Sequence, residues 1–292
     1  MSFSSRARHL IRRVSATIVI TLVCVDATLA GAQDVVAPPR AAPFQYQLQT
    51  SSSPSLRNSG GINVDQCVVP VRGGHCVRAK VFSIDLYGPD GTTPNAAAVR
   101  AINDSGGYAI CYVDAGTWES WRPDASDFAV SLRGRSNGWP GERWLDIRHP
   151  KALLTIMARR VARCERAGFA AVDFDNVDAY ANTTGFNITA GEQLSFNRAL
   201  ADLAHRDHLA VGLKNDGDQA RALEPWFDFA IDEQCVQYHS CAQLAVFVNA
   251  QKPVYDVEYT GPPAAFCRSA PKGIDVTAKA LNLLDRPWRP CR

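Results

Sequence analysis

Residues 170–178 read AAVDFDNVD, an apolar strand-like run ending in three acids and placed directly after a helical pattern from Pro150 to Ala167. Acidic side chains are rarely buried unpaired, so Asp173, Asp175 and Asp178 mark either a solvated corner or a working site. The same alternation of helical pattern and short apolar run recurs along the chain every ~30 residues, as βα units around a parallel sheet require.

Eight such runs are candidate strands: FQYQL (44–48), VFSIDLYG (81–88), YAICYVDAG (108–116), AAVDFDN (170–176), LAVGLKN (209–215), DFAIDEQ (228–234), PVYDVEY (253–259) and GIDVTAK (273–279). Helical patterns at 96–103, 150–167, 191–206 and 240–250 lie between them. A ninth run, WLDIR (144–148), falls in a long excursion after the third strand. The expected fold is α/β, a single (β/α)8 barrel spanning residues 44–292, since such barrels take ~250 residues. An open doubly wound sheet is the alternative, weakened because no glycine-rich phosphate fingerprint follows the early strands.

The first 32 residues read as a signal peptide: Arg6, Arg8, Arg12 and Arg13 precede an apolar stretch from Val14 to Val25, and Ala30-Gly31-Ala32 supplies small residues for cleavage. Residues 33–43, with Pro38, Pro39 and Pro43, read as a flexible leader. The expectation is a secreted or periplasmic protein with no stable membrane anchor. The leading segment carries four arginines and one aspartate, so the whole-chain charge of +2 becomes about −1 for residues 33–292, and no nucleic-acid partner is expected.

Eight cysteines remain after Cys24, and an oxidising compartment favours disulfides. Proximity favours Cys67 with Cys76, Cys235 with Cys241, and Cys267 with Cys291. Cys111 and Cys164 are either a fourth bridge or two buried thiols.

Chemistry in a barrel of this kind sits at the carboxyl ends of the strands. Asp85, Asp114, Asp175, Lys214 with Asn215, Glu233 and Glu258 all end apolar runs. Because strand side chains alternate, Asp173 and Asp175 share one face while Phe174 points to the helices. Asp178 reads either as a turn or cap residue or as a ligand, and Lys214 either as a charge partner or as a site residue. Trp118, Trp121, Trp139 and Trp144 either stack on sugar faces or anchor loops. No Gly-x-Ser-x-Gly elbow, P-loop or metal-ligand spacing is present, so no cofactor or metal is expected. Two strand-end carboxylates without these motifs make glycoside hydrolysis the economical chemistry, one protonating the leaving oxygen and the other attacking the sugar or activating water. An acid-rich rim favours a cationic sugar polymer.

The ordered blocks FQYQL, IDLYG, ICYVDAGTWESWRPD, GWPGERWLDIR, VDFDNVDAYANTTGF, VGLKND, DFAIDEQC and VEY, from Phe44 to Tyr259, resemble glycoside hydrolase family 114, the endo-α-1,4-polygalactosaminidases. The resemblance implies a secreted barrel cleaving α-1,4-linked galactosamine-containing polysaccharide; a monomer is expected. It implies Asp175 as nucleophile and Glu233 as general acid/base in a retaining mechanism. Asp85, Tyr112, Asn176, Asp178, Lys214 and Glu258 form the expected substrate-binding set, with Asn176 orienting Asp175. Two features depart from the family pattern: Phe44 and Tyr46 stand where tryptophans are more usual, and an insertion holds Cys67 and Cys76. A non-catalytic carbohydrate-binding barrel and a glycosidase for another α-linked glycan are the rival readings.

Overall fold

Valine, isoleucine and aromatic residues alternate in the apolar runs, and each run extends into a strand with one face turned inward and one outward. The structure, a computed structural model, describes residues 35–292. The expected signal peptide and the first two leader residues lie outside the described residues.

In chain order the elements are β1 (Phe44–Gln47), β2 (Val81–Asp85), α1 (Ala96–Asp104), β3 (Tyr108–Asp114), β4 (Thr117–Glu119), β5 (Glu142–Trp144), α2 (Pro150–Ala167), β6 (Ala171–Asp175), α3 (Ala190–Arg206) and β7 (Ala210–Lys214). There follow α4 (Ala220–Leu223), β8 (Phe229–Glu233), α5 (Ala245–Asn249), β9 (Val254–Glu258), α6 (Pro263–Ser269), β10 (Asp275–Lys279) and β11 (Trp288–Pro290). The main sheet runs β1-β2-β3-β6-β7-β8-β9-β10-β11, parallel throughout except for the antiparallel β10–β11 pair. All eight expected strands are present and form a (β/α)8-type barrel. The stretch from Trp144 contributes only its first residue to a strand, β5, which pairs with β4 in a separate two-stranded hairpin.

No backbone ladder joins β1 to β10 among the described residues, and side chains close that seam instead. Lys279 Nζ donates to Gln45 Oε1 at 2.8 Å, Gln45 Nε2 donates to the Asp285 carbonyl at 3.2 Å, and Trp288 Nε1 donates to the Phe44 carbonyl at 2.8 Å. Between β1 and β2 the chain has a 3-10 turn, Pro54–Ser59, in place of a helix.

Two hydrophobic layers follow from the alternation. Inside the ring, Phe44, Val81, Ile110, Phe229, Tyr255 and Val257 are buried, with Phe44 stacked on Tyr255 at 4.6 Å between ring centroids. Outside it, Val172 and Phe174 of β6 meet Leu153 and Val161 of α2 and Leu200 of α3. Each large aliphatic or aromatic side chain removed from water in this way contributes roughly 1.5–3 kcal/mol. The helices carry their own boundaries: Pro150 opens α2 and Gly168, at φ 88°, ends it, while Thr189 and Glu192 cap α3 reciprocally.

Residues 35–43 have no regular structure, as expected of a leader, yet they are held at the amino end of the strands. Tyr108 Oη donates to the Val36 carbonyl at 2.6 Å and Tyr255 Oη to the Pro39 carbonyl at 2.7 Å. The three expected disulfides form, and Cys111 with Cys164 is a fourth bridge, tying β3 to α2 with 6.0 Å between Cα atoms. Replacing Cys111 and Cys164 together by alanine is expected to lower stability by about 2–4 kcal/mol, because the cross-link restricts the unfolded chain. Thermal denaturation of the double variant under non-reducing conditions measures this.

Candidate active site

The inward parity of the strands decides which side chains reach the carboxyl-end rim. On β6 it selects Asp173 and Asp175, on β7 Gly212 and Lys214, on β8 Ile231 and Glu233. Lys214 is fully buried and its ammonium donates to Asp175 Oδ1 and to Glu233 Oε2, each at 2.9 Å. Asp175 and Glu233 are more open, with 17% and 26% of their side chains exposed. The Lys214 ammonium also lies over the Tyr46 ring, 5.6 Å from its centroid.

Asp175 takes a second donor, Tyr112 Oη at 2.7 Å on Oδ2, and a third, the Asn176 backbone N–H at 2.9 Å on Oδ1. Burial alone would push this carboxyl up. The Lys214 charge and these donors more than reverse that, holding it below the usual aspartate range. Burial likewise disfavours the Lys214 charge, and Asp175 and Glu233 outweigh it, so the lysine stays protonated. Glu233 Oε1 accepts from Tyr259 Oη, and its backbone N–H donates to Asn215 Oδ1 at 3.0 Å.

Directly after each of these strands the chain turns sharply: Asn176, Asn215 and Gln234 have φ of 58°, 51° and 67°. Such left-handed residues cluster where a fold spends backbone strain to aim side chains. Asn176 is locked by its Nδ2 donating to Asp114 Oδ2 at 2.8 Å, and a side chain at Gly116 would meet the Asn176 carbonyl at 1.7 Å.

The cleft above these groups encloses about 510 Å³ and is walled by Tyr46, Asp85, Trp121, Trp139 and Glu142 among others. A hollow of about 190 Å³ containing Asp178 adjoins it, sharing Trp139, Asn176 and Asn215. A larger hollow, about 590 Å³, lies elsewhere, between residues 63–68 and 286–289, away from these carboxylates.

Of the expected residues, Asp175, Glu233, Lys214, Tyr112 and Asn176 meet in one hydrogen-bonded group, and Asp178 stands beside it. Asp85 lines the cleft, but Arg122 grips it through two hydrogen bonds of 2.8 and 2.7 Å while also holding Glu119 at 2.6 Å. Glu258 is not brought to the cleft. It lies on the outward parity of β9, fully buried, and accepts from the Val236 and Gln237 backbone N–H groups at 2.8 and 3.2 Å. The inward residue at that strand end is Tyr259, which alternation from Tyr255 and Val257 would have identified. Arg122, Glu119 and Glu142 come from the excursion around β4 and β5, where the sequence offered no period to place them. Trp121 and Trp139 are about half exposed on the cleft wall, whereas Trp144 is buried and Trp118 Nε1 is tied to the Ala125 carbonyl at 2.9 Å.

Metal-ligand atoms converge at Asp232, Cys235 and Asp256, all within 4.8 Å of one another. Cys235 is committed to its disulfide, and Asp256 Oδ1 accepts from the Cys235 backbone N–H at 3.0 Å. Together with Glu258 this group braces the loop that follows Glu233. No helix among the described residues is long and apolar enough to cross a membrane.

The sequence model of glycoside-hydrolase family GH114 matches residues 25–289. Among solved structures, the chain is similar to Aspergillus fumigatus Ega3 in complex with galactosamine, at 28% identity and TM-score 0.72, covering 88% of this chain and 99% of that one. The glycoside hydrolase domain of PelA from Pseudomonas aeruginosa shares the fold at 14% identity and TM-score 0.58, over 86% of this chain and 98% of that one. No curated protein matches the chain.

Beneath the pair, Asp173 is completely buried with Oδ1 unpartnered, and burial pushes its carboxyl up to about 7 although Lys214 opposes the shift. A carboxyl raised in the folded state costs stability as pH climbs from the unfolded value through the folded one. Asp173→Asn is therefore expected to gain thermal stability over the native chain progressively between pH 4 and about 7, with a constant difference above that. Melting temperatures across that range test it.

Proposed function

The chain belongs to glycoside-hydrolase family GH114 and is a glycoside hydrolase, and from that premise we propose that it is an exported enzyme cleaving α-1,4-linked galactosamine polymers with retention. The observation that carries the reading is the single buried ammonium of Lys214 bonded to both Asp175 and Glu233. Each contributes an oxygen 2.9 Å from Nζ, so those oxygens are at most twice that distance apart. That close approach favours the shorter carboxyl spacing of a retaining enzyme over the roughly 6.5–9.5 Å which leaves room for the water of an inverting one.

Asp175 is the nucleophile. It is held ionised by three donors, and attack on the anomeric carbon needs an ionised carboxylate. Glu233, more open to the cleft, takes up a proton from solvent before the first step, leaving Lys214 paired with Asp175; it gives that proton to the leaving glycosidic oxygen and later takes one from the water that releases the sugar from Asp175. Lys214 and Tyr112 fix the line of attack, and burial raises the Tyr112 phenol well above its usual range, so it remains a neutral donor. Asn215 and Tyr259 hold Glu233. Asp178 and the exposed rings of Trp121 and Trp139 contact the polymer.

The galactosamine assignment draws support from the likeness to Ega3, whose structure holds galactosamine, and from the excess of carboxylates around the cleft. Export draws support from the four disulfides. Release of reducing ends from α-1,4-linked galactosamine polymer is expected for the native chain, and a fall of about 10³-fold or more for Asp175→Asn and for Glu233→Gln. Proton NMR of the first product is expected to show the α-anomer. Binding without turnover would leave a non-catalytic barrel, and cleavage of a different α-glycan alone would move the substrate.

A further inference from the structure

The acids around the cleft differ in whether a cation accompanies them. Asp85 and Glu119 share Arg122, and Asp175 and Glu233 share Lys214. Glu142 does not follow this pattern. Its one close donor is neutral, Asn137 Nδ2 at 2.5 Å on Oε2; Thr117 Oγ1 lies 3.4 Å away with its hydroxyl hydrogen given to Asp114. Its other oxygen takes no hydrogen bond from any described residue, and the side chain is half-buried on the wall of the cleft that contains Asp175 and Glu233.

The hairpin makes this placement costly. Glu142 stands directly opposite Glu119 across the β4–β5 pair, and like charges at facing positions of an antiparallel pair repel. Arg122 relieves Glu119 but makes no ion pair with Glu142. A partly dehydrated carboxylate that faces another carboxylate and has no ion-pair partner is well placed to gain from a cation that arrives with a ligand and replaces solvent at its open oxygen.

We propose that Glu142 recognises the 2-ammonium group of a galactosamine unit bound beside Asp175, and thereby sets the preference for free amine over N-acetyl sugar. The inference rests on the galactosamine reading above and specifies which side chain reads the amine. An acetamido group carries no charge and cannot return what the Glu142 carboxylate loses on leaving water. A protonated amine can, through a charge-assisted hydrogen bond to the open oxygen. Asn137 holds the other oxygen, so the carboxylate is oriented before the sugar enters. Burial, with nearby Asp175 adding to it, raises the Glu142 carboxyl above the usual glutamate range, so the preference fades as acid protonates it.

The test compares kcat/KM of the full chain and of Glu142→Gln on a fully deacetylated α-1,4-galactosamine oligomer and on its N-acetylated counterpart. The ratio of the two values is expected to fall at least about tenfold in the variant, with the loss on the deacetylated oligomer carried mainly by KM. In the native chain that ratio is expected to drop as pH is lowered, and in Glu142→Gln to lose this dependence. Glu142→Asp is expected to restore part of the preference. Removing one of two facing carboxylates is expected to leave the melting temperature equal or higher, which separates a lost contact from a damaged fold. An unchanged ratio, or equal loss on both oligomers, overturns the inference while the galactosamine reading stands. Failure of the native chain to cleave either oligomer overturns both.

Discussion

A charged ammonium at the centre of a hydrophobic ring is the constraint around which the rest of the site is organised. Lys214 is 1% exposed, and a lysine removed from water to that degree is tolerated only with carboxylates in direct contact. Asp175 and Glu233 supply them from the strands on either side, β6 and β8. The Tyr46 ring lies on another flank, and Asp173 lies one inward position below Asp175 on β6. Gly212, the inward position below Lys214, leaves room for the Phe229 ring, which a β-carbon there would meet at 2.4 Å. The reactive pair is thus spaced by a charge that the barrel itself is built to shelter.

Much of this was legible in the sequence because the period of a strand is two. AAVDFDN and DFAIDEQ each put an acid on the inward parity at the carboxyl end, and LAVGLKN put Lys214 on the same rim. The parity rule was also where the reading slipped. Glu258 was read as a rim residue, whereas its neighbours Tyr255 and Val257 show that its parity faces the helices. There it accepts hydrogen bonds that brace the Cys235–Cys241 loop and, through it, the chain just beyond Glu233.

What the sequence could not supply was pairing across long separations. Asp85 ends β2 as expected, but nothing local shows that Arg122, reaching from the excursion after β3, neutralises it. The same excursion brings β4 and β5 together, and with them the Glu119–Glu142 opposition. Its tryptophans divide for the same reason: Trp118 and Trp144 are drawn into the hairpin's own packing, leaving Trp121 and Trp139 on the cleft wall. The disulfide between Cys111 and Cys164 belongs to the same class, since its partners are 53 residues apart.

The seam between β1 and β10 gives the ring an uneven strength. Seven neighbouring strand pairs are laced by backbone hydrogen bonds and the eighth is held by a clasp of Lys279, Gln45 and Trp288. The staves that carry Asp175, Lys214 and Glu233, β6, β7 and β8, stand away from that seam, each with a laddered neighbour on both sides. The geometry that performs the chemistry therefore rests on the part of the hoop where the backbone ladder runs unbroken from strand to strand.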